Sequence, residues 1–323
     1  MKAIVRDTYG PPDVLELRDI DIPEIADEEV LVHVHAAGVG RDVWHVMTGL
    51  PYPIRLAGYG FRAPKNPVIG SDMAGVVEAL GKSVSRFQPG DEVFGIGKGS
   101  YAEYVCARED KLAPKPANLT FEQAAVVAIS GSTALQALRD HGKARSGQEV
   151  LIVGASGGVG TYAVQIAKAF GAHVTGVCST TKMEMVRSIG ADHVIDYTRE
   201  DFAEGDQRYD LILDIGGNST LARLRRTLAP RGTLVIVGGE GGGRWLGGTD
   251  RQIRALVLSP FVSQKLGTFV NKENHEDMLV LKELIESGKL TPVIDRTYPL
   301  SEAPEAIRYL EEGHARGKLV IAV

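Results

Sequence analysis

One short run carries the first chemistry legible in this chain. Gly154-Ala155-Ser156-Gly157-Gly158-Val159-Gly160 follows the apolar stretch Val150–Val153 and leads into a helical pattern over Thr161–Phe170. Glycines at such a turn let the backbone approach a bulky anion. The helix behind them offers free N–H groups and the positive end of its dipole. Strand, glycine turn, helix and a second strand at His173–Val177 together make a dinucleotide-binding arrangement. Ser156, Gly157, Gly158 and Val159 are the expected pyrophosphate contacts. Ala155 replaces the first glycine of the usual fingerprint, and a residue so small still permits the turn.

The second strand ends as Val177-Cys178-Ser179-Thr180-Thr181-Lys182. A cofactor with free ribose hydroxyls asks for Asp or Glu at that end, and this segment has neither. The Ser179 hydroxyl and the Lys182 ammonium suit a 2′-phosphate instead, as donors with positive charge. The expected cofactor is NADPH rather than NADH.

These residues need a rigid frame, and the chain supplies one after Ser146-Gly147. Strands at Val150–Val153, His173–Val177, His193–Ile195, Leu211–Asp214 and Thr233–Val237 alternate with helices at Thr161–Phe170, Thr181–Ser188 and near Ser219–Leu228. That rhythm predicts a parallel, doubly wound sheet. Residues 1 to about 120 read instead as short strands, among them Val30–Ala36 with valine and histidine at period two. Phe121–His141 is helical, with Thr120 as its N-cap. The tail adds a short helix at Ala303–Gly313 and a closing strand at Lys318–Val323. The expected fold is thus α/β, with a cofactor domain over 122–263 inserted in a β-rich domain made of 1–121 and 264–323. A length of 323 residues favours two such domains over one core. A net charge of −5 argues against a nucleic-acid partner. Two cysteines, Cys106 and Cys178, exclude a disulfide framework and a four-cysteine metal site. No apolar run is long enough to span a bilayer, and the N-terminus lacks a signal-peptide core, so a cytoplasmic protein is expected.

Five segments together resemble the medium-chain dehydrogenase/reductase superfamily over essentially the whole chain. They are Gly70-Ser-Asp-Met-Ala-Gly-Val-Val, Phe87-Gln-Pro-Gly-Asp-Glu-Val-Phe-Gly, Ser130-Gly-Ser-Thr-Ala, the Gly154–Gly160 loop, and Gly190-Ala-Asp-His-Val-Ile-Asp-Tyr197. Within it the chain is similar to zeta-crystallin-type quinone oxidoreductases and reticulon-interacting reductases. The resemblance implies a Rossmann sheet inserted in a GroES-like catalytic domain. It places Ser179, Lys182 and Tyr197 around the adenosine 2′-phosphate, although Tyr197 reads equally well as a strand-end aromatic that only packs. It places Thr133 near the nicotinamide, and Gly238 and Gly239 on a loop at the cofactor. Phe261 and Val262 fall in the segment that meets the carboxamide, and Lys318 in a terminal motif that approaches the cofactor. A solvated terminal lysine is the equal alternative. The positions of the catalytic zinc ligands carry Arg41 or its neighbour, Ser71 and Ser130, and the structural-zinc cysteines are missing, so no metal is expected.

Without zinc, alcohol oxidation has lost its activating group, while reduction of an activated acceptor has not. A quinone or enone takes hydride at a conjugated carbon, and its developing oxyanion needs only hydrogen-bond donors. Tyr52, Arg41 and Asp42 are the catalytic candidates. Arg41 and Asp42 read alternatively as a local ion pair, and Asp72 as a structural hydrogen-bonding residue. The aromatic, turn-rich segment Trp44–Pro67 is either a wall over a flat acceptor or a surface excursion. The expected function is hydride transfer from NADPH to a quinone or similar conjugated carbonyl, a small-molecule substrate. The alternatives are enone or enoyl-thioester reduction, or a non-enzymatic NADPH-binding regulator. A homodimer is expected, with Ala255–Leu258 read as an edge strand.

Overall fold

A computed structural model describes residues 1–239 and 243–323; part of the glycine-rich stretch at 238–248, namely Glu240, Gly241 and Gly242, lies outside the described residues. The chain separates into two compact units. One holds Met1–Ser132, Lys272–Gly288 and Pro292–Val323, the other Thr133–Asn271 and Lys289–Thr291. The changes of unit thus fall at 132/133, 271/272, 288/289 and 291/292, where the sequence reading set boundaries at 121/122 and 263/264.

The first unit carries strands β1 (Lys2–Val5), β2 (Glu16–Asp19), β3 (Glu29–Val39), β4 (Asp72–Leu80), β5 (Glu92–Ile96), β6 (Tyr104–Arg108) and β7 (Leu112–Pro114). From the tail come β14 (Ile294–Pro299) and β15 (Lys318–Ala322). The main sheet runs β14-β15-β3-β4-β5-β7, with β6 also on β3, while β1 and β2 form a separate antiparallel pair. Because β15 pairs with β3, Leu319 opposite Val39, the tail completes the sheet begun at the N-terminus. One core of this unit gathers Ile4, Val39, Val43, Met47, Ile69 and Tyr101 with Ile307 and Leu319. Helix α1 (Arg41–Thr48) starts at Gly40 directly after β3. The Trp44–Pro67 segment therefore begins inside a helix and not as a run of turns. Helices α2 (Phe121–Ala124) and α3 (Ala128–Gln136) follow β7, and α3 runs across the change of unit. Thr120 caps α2 through a capping box with Gln123, an arrangement worth about 1 kcal/mol.

The second unit carries β8 (Glu149–Val153), β9 (His173–Cys178), β10 (His193–Asp196), β11 (Tyr209–Asp214), β12 (Leu228–Ile236) and β13 (Lys265–Thr268). They form one sheet in the order β10-β9-β8-β11-β12-β13, with every pairing parallel. Helices α4 (Gly158–Ala169), α5 (Met183–Ser188), α6 (Leu221–Thr227), α7 (Gly243–Leu246) and α8 (Thr249–Leu258) connect them. A parallel sheet is covered on both faces, so its central strands are apolar throughout. Val150–Val153 and Leu211–Leu213 are accordingly all buried. The order reverses between β8 and β11, and ligands of such sheets bind beside that switch, at the carboxyl ends of the strands.

One expectation is overturned here. Ala255–Leu258 is the last turn of α8, not an edge strand; β13 is the outer strand on that side of the sheet. Only Ala255 of that quartet is buried, packed into the core with Leu234 and Leu266, whereas Leu256 and Val257 are exposed. A single inward position per turn is helical spacing, which a four-residue apolar run does not reveal. Helix α9 (His275–Glu286), capped by the Asn274 side chain, is absent from the sequence reading, whereas α10 (Ala303–Glu311) begins where a short helix was read.

Candidate active site

The glycine turn of the second unit is built by close backbone approach. Gly154 sits in the left-handed region at φ +89°, and a Cβ there would meet the Gly216 nitrogen at 2.8 Å. A Cβ on Gly160 would lie 2.1 Å from the Gly154 carbonyl oxygen, so only glycine lets α4 pack this tightly on the turn. Gly157 is different: a Cβ there would meet only the Gly154 oxygen, at 3.6 Å. Gly157 is also the N-cap of α4 and offers no side-chain cap. The start of this twelve-residue helix thus has no side-chain cap for its first N–H groups. Ser156, Gly157, Gly158 and Val159 surround that helix start, as a pyrophosphate requires.

Beside it, the end of β9 gathers the residues expected around a 2′-phosphate. Ser179 is half-buried and opens the turn Thr180–Lys182; the Lys182 amide donates to the Ser179 carbonyl at 2.9 Å. Tyr197 arrives from β10, its amide donating to the Cys178 carbonyl at 3.1 Å, and its side chain is 59% exposed. Burial pushes the Cys178 thiol up to about 11, helped by Asp196, while the Lys182 and Arg187 charges pull it back.

Asp196 is the residue sequence reasoning missed. The segment after β9 has no acid, but the parallel register sets Asp196 of β10 opposite Cys178. Its carboxylate is turned inward and satisfied. It accepts from the Thr180 hydroxyl, from the Thr198 hydroxyl at 2.7 Å and from the Thr198 amide at 3.0 Å, with Arg199 at 3.6 Å. The Thr180 hydroxyl, with Thr198 behind it, holds this carboxyl below the usual range. The signal was Asp196-Tyr-Thr198, an acid followed two residues on by a hydroxyl that bonds it locally.

Gly238 and Gly239 follow β12 at the carboxyl end of the sheet, the Gly238 amide donating to the Asp214 carbonyl at 3.1 Å. Phe261 is 81% exposed at the end of a short helical turn, and Val262 packs on the core. Trp245 lies on α7 and is also exposed. Thr133 is half-buried on α3.

In the first unit, the Lys318 ammonium is 3.3 Å from the Asp72 carboxylate, with both side chains almost fully buried. Asp72 also accepts the Ile129 amide at 2.8 Å. Burial pushes the Asp72 carboxyl up to about 6, against the pull of Lys318 and with a further push from Asp42. A methyl on Gly40 would sit 2.3 Å from Asp42 Oδ1 and 3.4 Å from Lys318 Nζ, so these two charges bracket one point. The Arg41 guanidinium lies 5.7 Å from the Trp44 ring centre. Tyr52 is half-buried, and the Arg55 guanidinium is 5.0 Å from its ring and 4.4 Å from that of Tyr9. Arg55 Nε donates to the Gly49 carbonyl at 3.0 Å, and the Tyr9 hydroxyl lies within hydrogen-bond distance of the Tyr59 and Gly60 carbonyls. The aromatic segment is thereby fastened at both ends. His33 stacks on Tyr104 and His35 on Phe121, which gives both rings packing roles. Among the described residues no three His, Cys, Asp or Glu side chains gather as a metal site.

A parallel sheet with an uncapped glycine turn and donors beside its second strand defines a dinucleotide-dependent enzyme. A family model described as an alcohol dehydrogenase GroES-like domain matches residues 26–117, and one described as a zinc-binding dehydrogenase matches 189–321. The chain is 36% identical to NAD(P)H oxidoreductase RTN4IP1, mitochondrial, of Mus musculus, over 100% of this chain and 89% of that protein. It is 34% identical to the NADPH-dependent alkenal/one oxidoreductase, chloroplastic, of Arabidopsis thaliana, over 99% of this chain and 79% of that protein. The solved quinone oxidoreductase from Coxiella burnetii matches with a TM-score of 0.88 at 32% identity, covering 100% of this chain and 99% of that one. The chain belongs to the medium-chain dehydrogenase/reductase superfamily, in its quinone oxidoreductase-like branch. It is an oxidoreductase that uses a nicotinamide cofactor.

Proposed function

We propose that this enzyme transfers hydride from NADPH to a quinone or a similar conjugated carbonyl, without zinc. The observation that carries the cofactor choice is the end of β9. Ser179 and Lys182 follow that strand end, Tyr197 follows the paired end of β10, and the Asp196 carboxylate accepts from Thr180 and Thr198. The Ser156–Val159 turn holds the pyrophosphate, and Gly238, Gly239, Phe261 and Val262 follow the nicotinamide half. The cofactor, when bound, supplies the hydride; the chain holds it, excludes water and stabilises the charge that develops on the acceptor oxygen. Tyr52 and Arg41 are the donors assigned to that oxygen. Asp42 fixes the start of α1 beside them.

The zinc-free reading rests on the positions where the family's catalytic ligands stand, which carry Arg41 or its neighbour, Ser71 and Ser130 here. Enone reduction is the second reading, favoured by the alkenal/one oxidoreductase relative. Both readings are tested by one panel. Purified protein with NADPH is offered quinones, alkenones and enoyl thioesters, and NADPH absorbance is followed. Quinone-dependent oxidation is expected. Activity confined to enones moves the substrate class, and NADPH binding with no acceptor-dependent oxidation defeats the proposal.

We also infer a homodimer formed through the second unit. Ile253, Leu256 and Val257 leave an apolar face on α8, and β13 offers an outer strand to a partner. No helix among the described residues is long and apolar enough to cross a membrane, and we assign the enzyme to the cytoplasm, a placement that fractionation of native cells tests.

A further inference from the structure

We propose that Arg251 and Asp214 form a buried positioning pair that sets the cofactor loop after β12. The proposal rests on the reading that Gly238 and Gly239 lie at the cofactor.

Asp214 ends β11 and its side chain is wholly buried; that of Arg251, on α8, is 12% exposed. Their closest contact is 2.6 Å, between Nη1 and Oδ2. The same guanidinium donates to two backbone carbonyls, Ser219 at 2.7 Å and Gly238 at 3.0 Å. The other carboxylate oxygen accepts the Gly217 amide at 3.3 Å. One ion pair therefore joins the turn after β11, the approach to α6, the first glycine after β12, and α8. The carboxyl end of β8 belongs to the same assembly: Ile215 and Gly216 amides both donate to the Val153 carbonyl at 3.0 Å. Gly154 packs directly on Gly216, where a Cβ would be 2.8 Å from the backbone nitrogen. Three strand ends at the cofactor edge of the sheet are thus referred to one guanidinium.

The need for such a device is visible in the sequence. Residues 238–248 read Gly-Gly-Glu-Gly-Gly-Gly-Arg-Trp-Leu-Gly-Gly. Glycine imposes almost no backbone preference, so Gly238 and Gly239, the first residues after β12, do not choose their own path. Arg251 reaches back from beyond the stretch to hold the carbonyl of its first residue. Arginine suits the task because its planar fork serves a carboxylate and two carbonyls at once, which a lysine ammonium cannot do with the same directions. A buried ion pair is also a poor stabiliser compared with well-packed apolar residues, so its presence here is better explained by placement than by stability.

The test measures NADPH and NADH dissociation constants by fluorescence, and KM and kcat with one quinone. Measurements are made below the unfolding transition for wild type, Arg251→Met, Arg251→Lys and Gly239→Ala. Arg251→Met is expected to weaken both cofactors about ten-fold, with their ratio unchanged and kcat at saturation within about three-fold of wild type. Arg251→Lys should recover part of the loss. An unchanged ratio separates this role from the phosphate-binding role of Lys182. If Arg251→Met fails to fold, Asp214→Asn/Arg251→Gln keeps a neutral hydrogen-bonded pair and replaces it in the comparison. Unchanged cofactor affinity in folded Arg251→Met, with Gly239→Ala impaired, overturns the positioning pair alone. Unchanged affinity in both overturns the placement of the loop at the cofactor, and the pair with it.

Discussion

Lys182→Ala isolates one charge at the proposed 2′-phosphate pocket. Lys182 closes the turn that starts at Ser179, and its positive charge reaches the end of β9 strongly enough to pull on the Cys178 thiol. A charge-assisted hydrogen bond is worth roughly 1.5 to 3 kcal/mol. Lys182 is only half-buried, so screening takes the figure to the low end of that range. At about 1.4 kcal/mol per factor of ten, the variant loses roughly ten-fold in KM for NADPH and almost nothing for NADH. Ser179→Asp goes further. Asp196 is already an ionised neighbour, its charge spent on Thr180 and Thr198. A second carboxylate at position 179 has no such partners prepared and faces the phosphate, so it should reverse the preference. The assay is the ratio of kcat/KM for the two cofactors at fixed ionic strength, repeated at high salt, where the wild-type preference should shrink. Equal use of both cofactors by wild type, or equal damage to both in Lys182→Ala, refutes the pocket.

Three further outcomes are expected. Lys318→Met leaves the Asp72 carboxylate buried without its cation and should cost about 3–5 kcal/mol at neutral pH. The Asp72 pKa is already raised in the native state, to about 6 against an ordinary 3.8, so its favourable contribution is present at acid pH and lost as pH rises through that window. Denaturant titrations from pH 4 to 8 should therefore show the variant's deficit shrinking toward acid; a pH-independent deficit contradicts the pair. Quinone reductase activity should survive exhaustive chelation, and stoichiometric zinc whose removal abolishes activity would end the metal-free assignment. Light scattering at micromolar concentration should give a dimer, and Leu256→Glu/Val257→Glu should shift it to monomer; a monomeric wild type refutes the interface.

The parts of this molecule that were legible in the sequence are those whose physics is local. The Gly154–Gly160 turn is readable because close backbone approach at Gly154 and Gly160 admits only glycine, whatever surrounds it. The central strands β8 and β11 are readable because burial on both faces leaves continuous apolar runs. Thr120 declares the start of α2 because its hydroxyl is suited to cap the first free amides. The illegible parts depend on pairing. Asp196 is remote from Ser179 in sequence and comes beside it only through the β9–β10 register. Ala255–Leu258 gave the wrong element because α8 opens at Gly248 in a left-handed conformation with no side-chain cap to announce it. Asp72 and Lys318 are 246 positions apart, and neither residue type alone says that the other will be found.

That last pair, which lies wholly within the first unit, shows why charge is retained where apolar packing would hold the sheet together as well. Asp72 opens β4, Lys318 opens β15, and the Ile129 amide at the start of α3 completes the carboxylate's shell. Desolvating both ions costs several kcal/mol each, which their attraction recovers only when all three donors and acceptors arrive together. An apolar substitute would fill the same volume yet tolerate a sliding strand. Side chains alternate across a strand, so a one-residue slip of β15 against β3 would turn Lys318 to the opposite face and strand Asp72 in the interior. The charges thus penalise every register but one. What that register fixes is the β3–Gly40–α1 corner, where Asp42 and Lys318 bracket Gly40. Arg41 and Tyr52, the proposed donors to the acceptor, hang from that corner. Asp214 and Arg251 apply the same constraint to the loops of the other unit, since a carboxylate with no exposure has its counter-charge only if α8 returns to one place. In both units an expensive interaction is therefore found beside backbone that glycine leaves undirected, and the expense is what confines that backbone to the geometry hydride transfer requires.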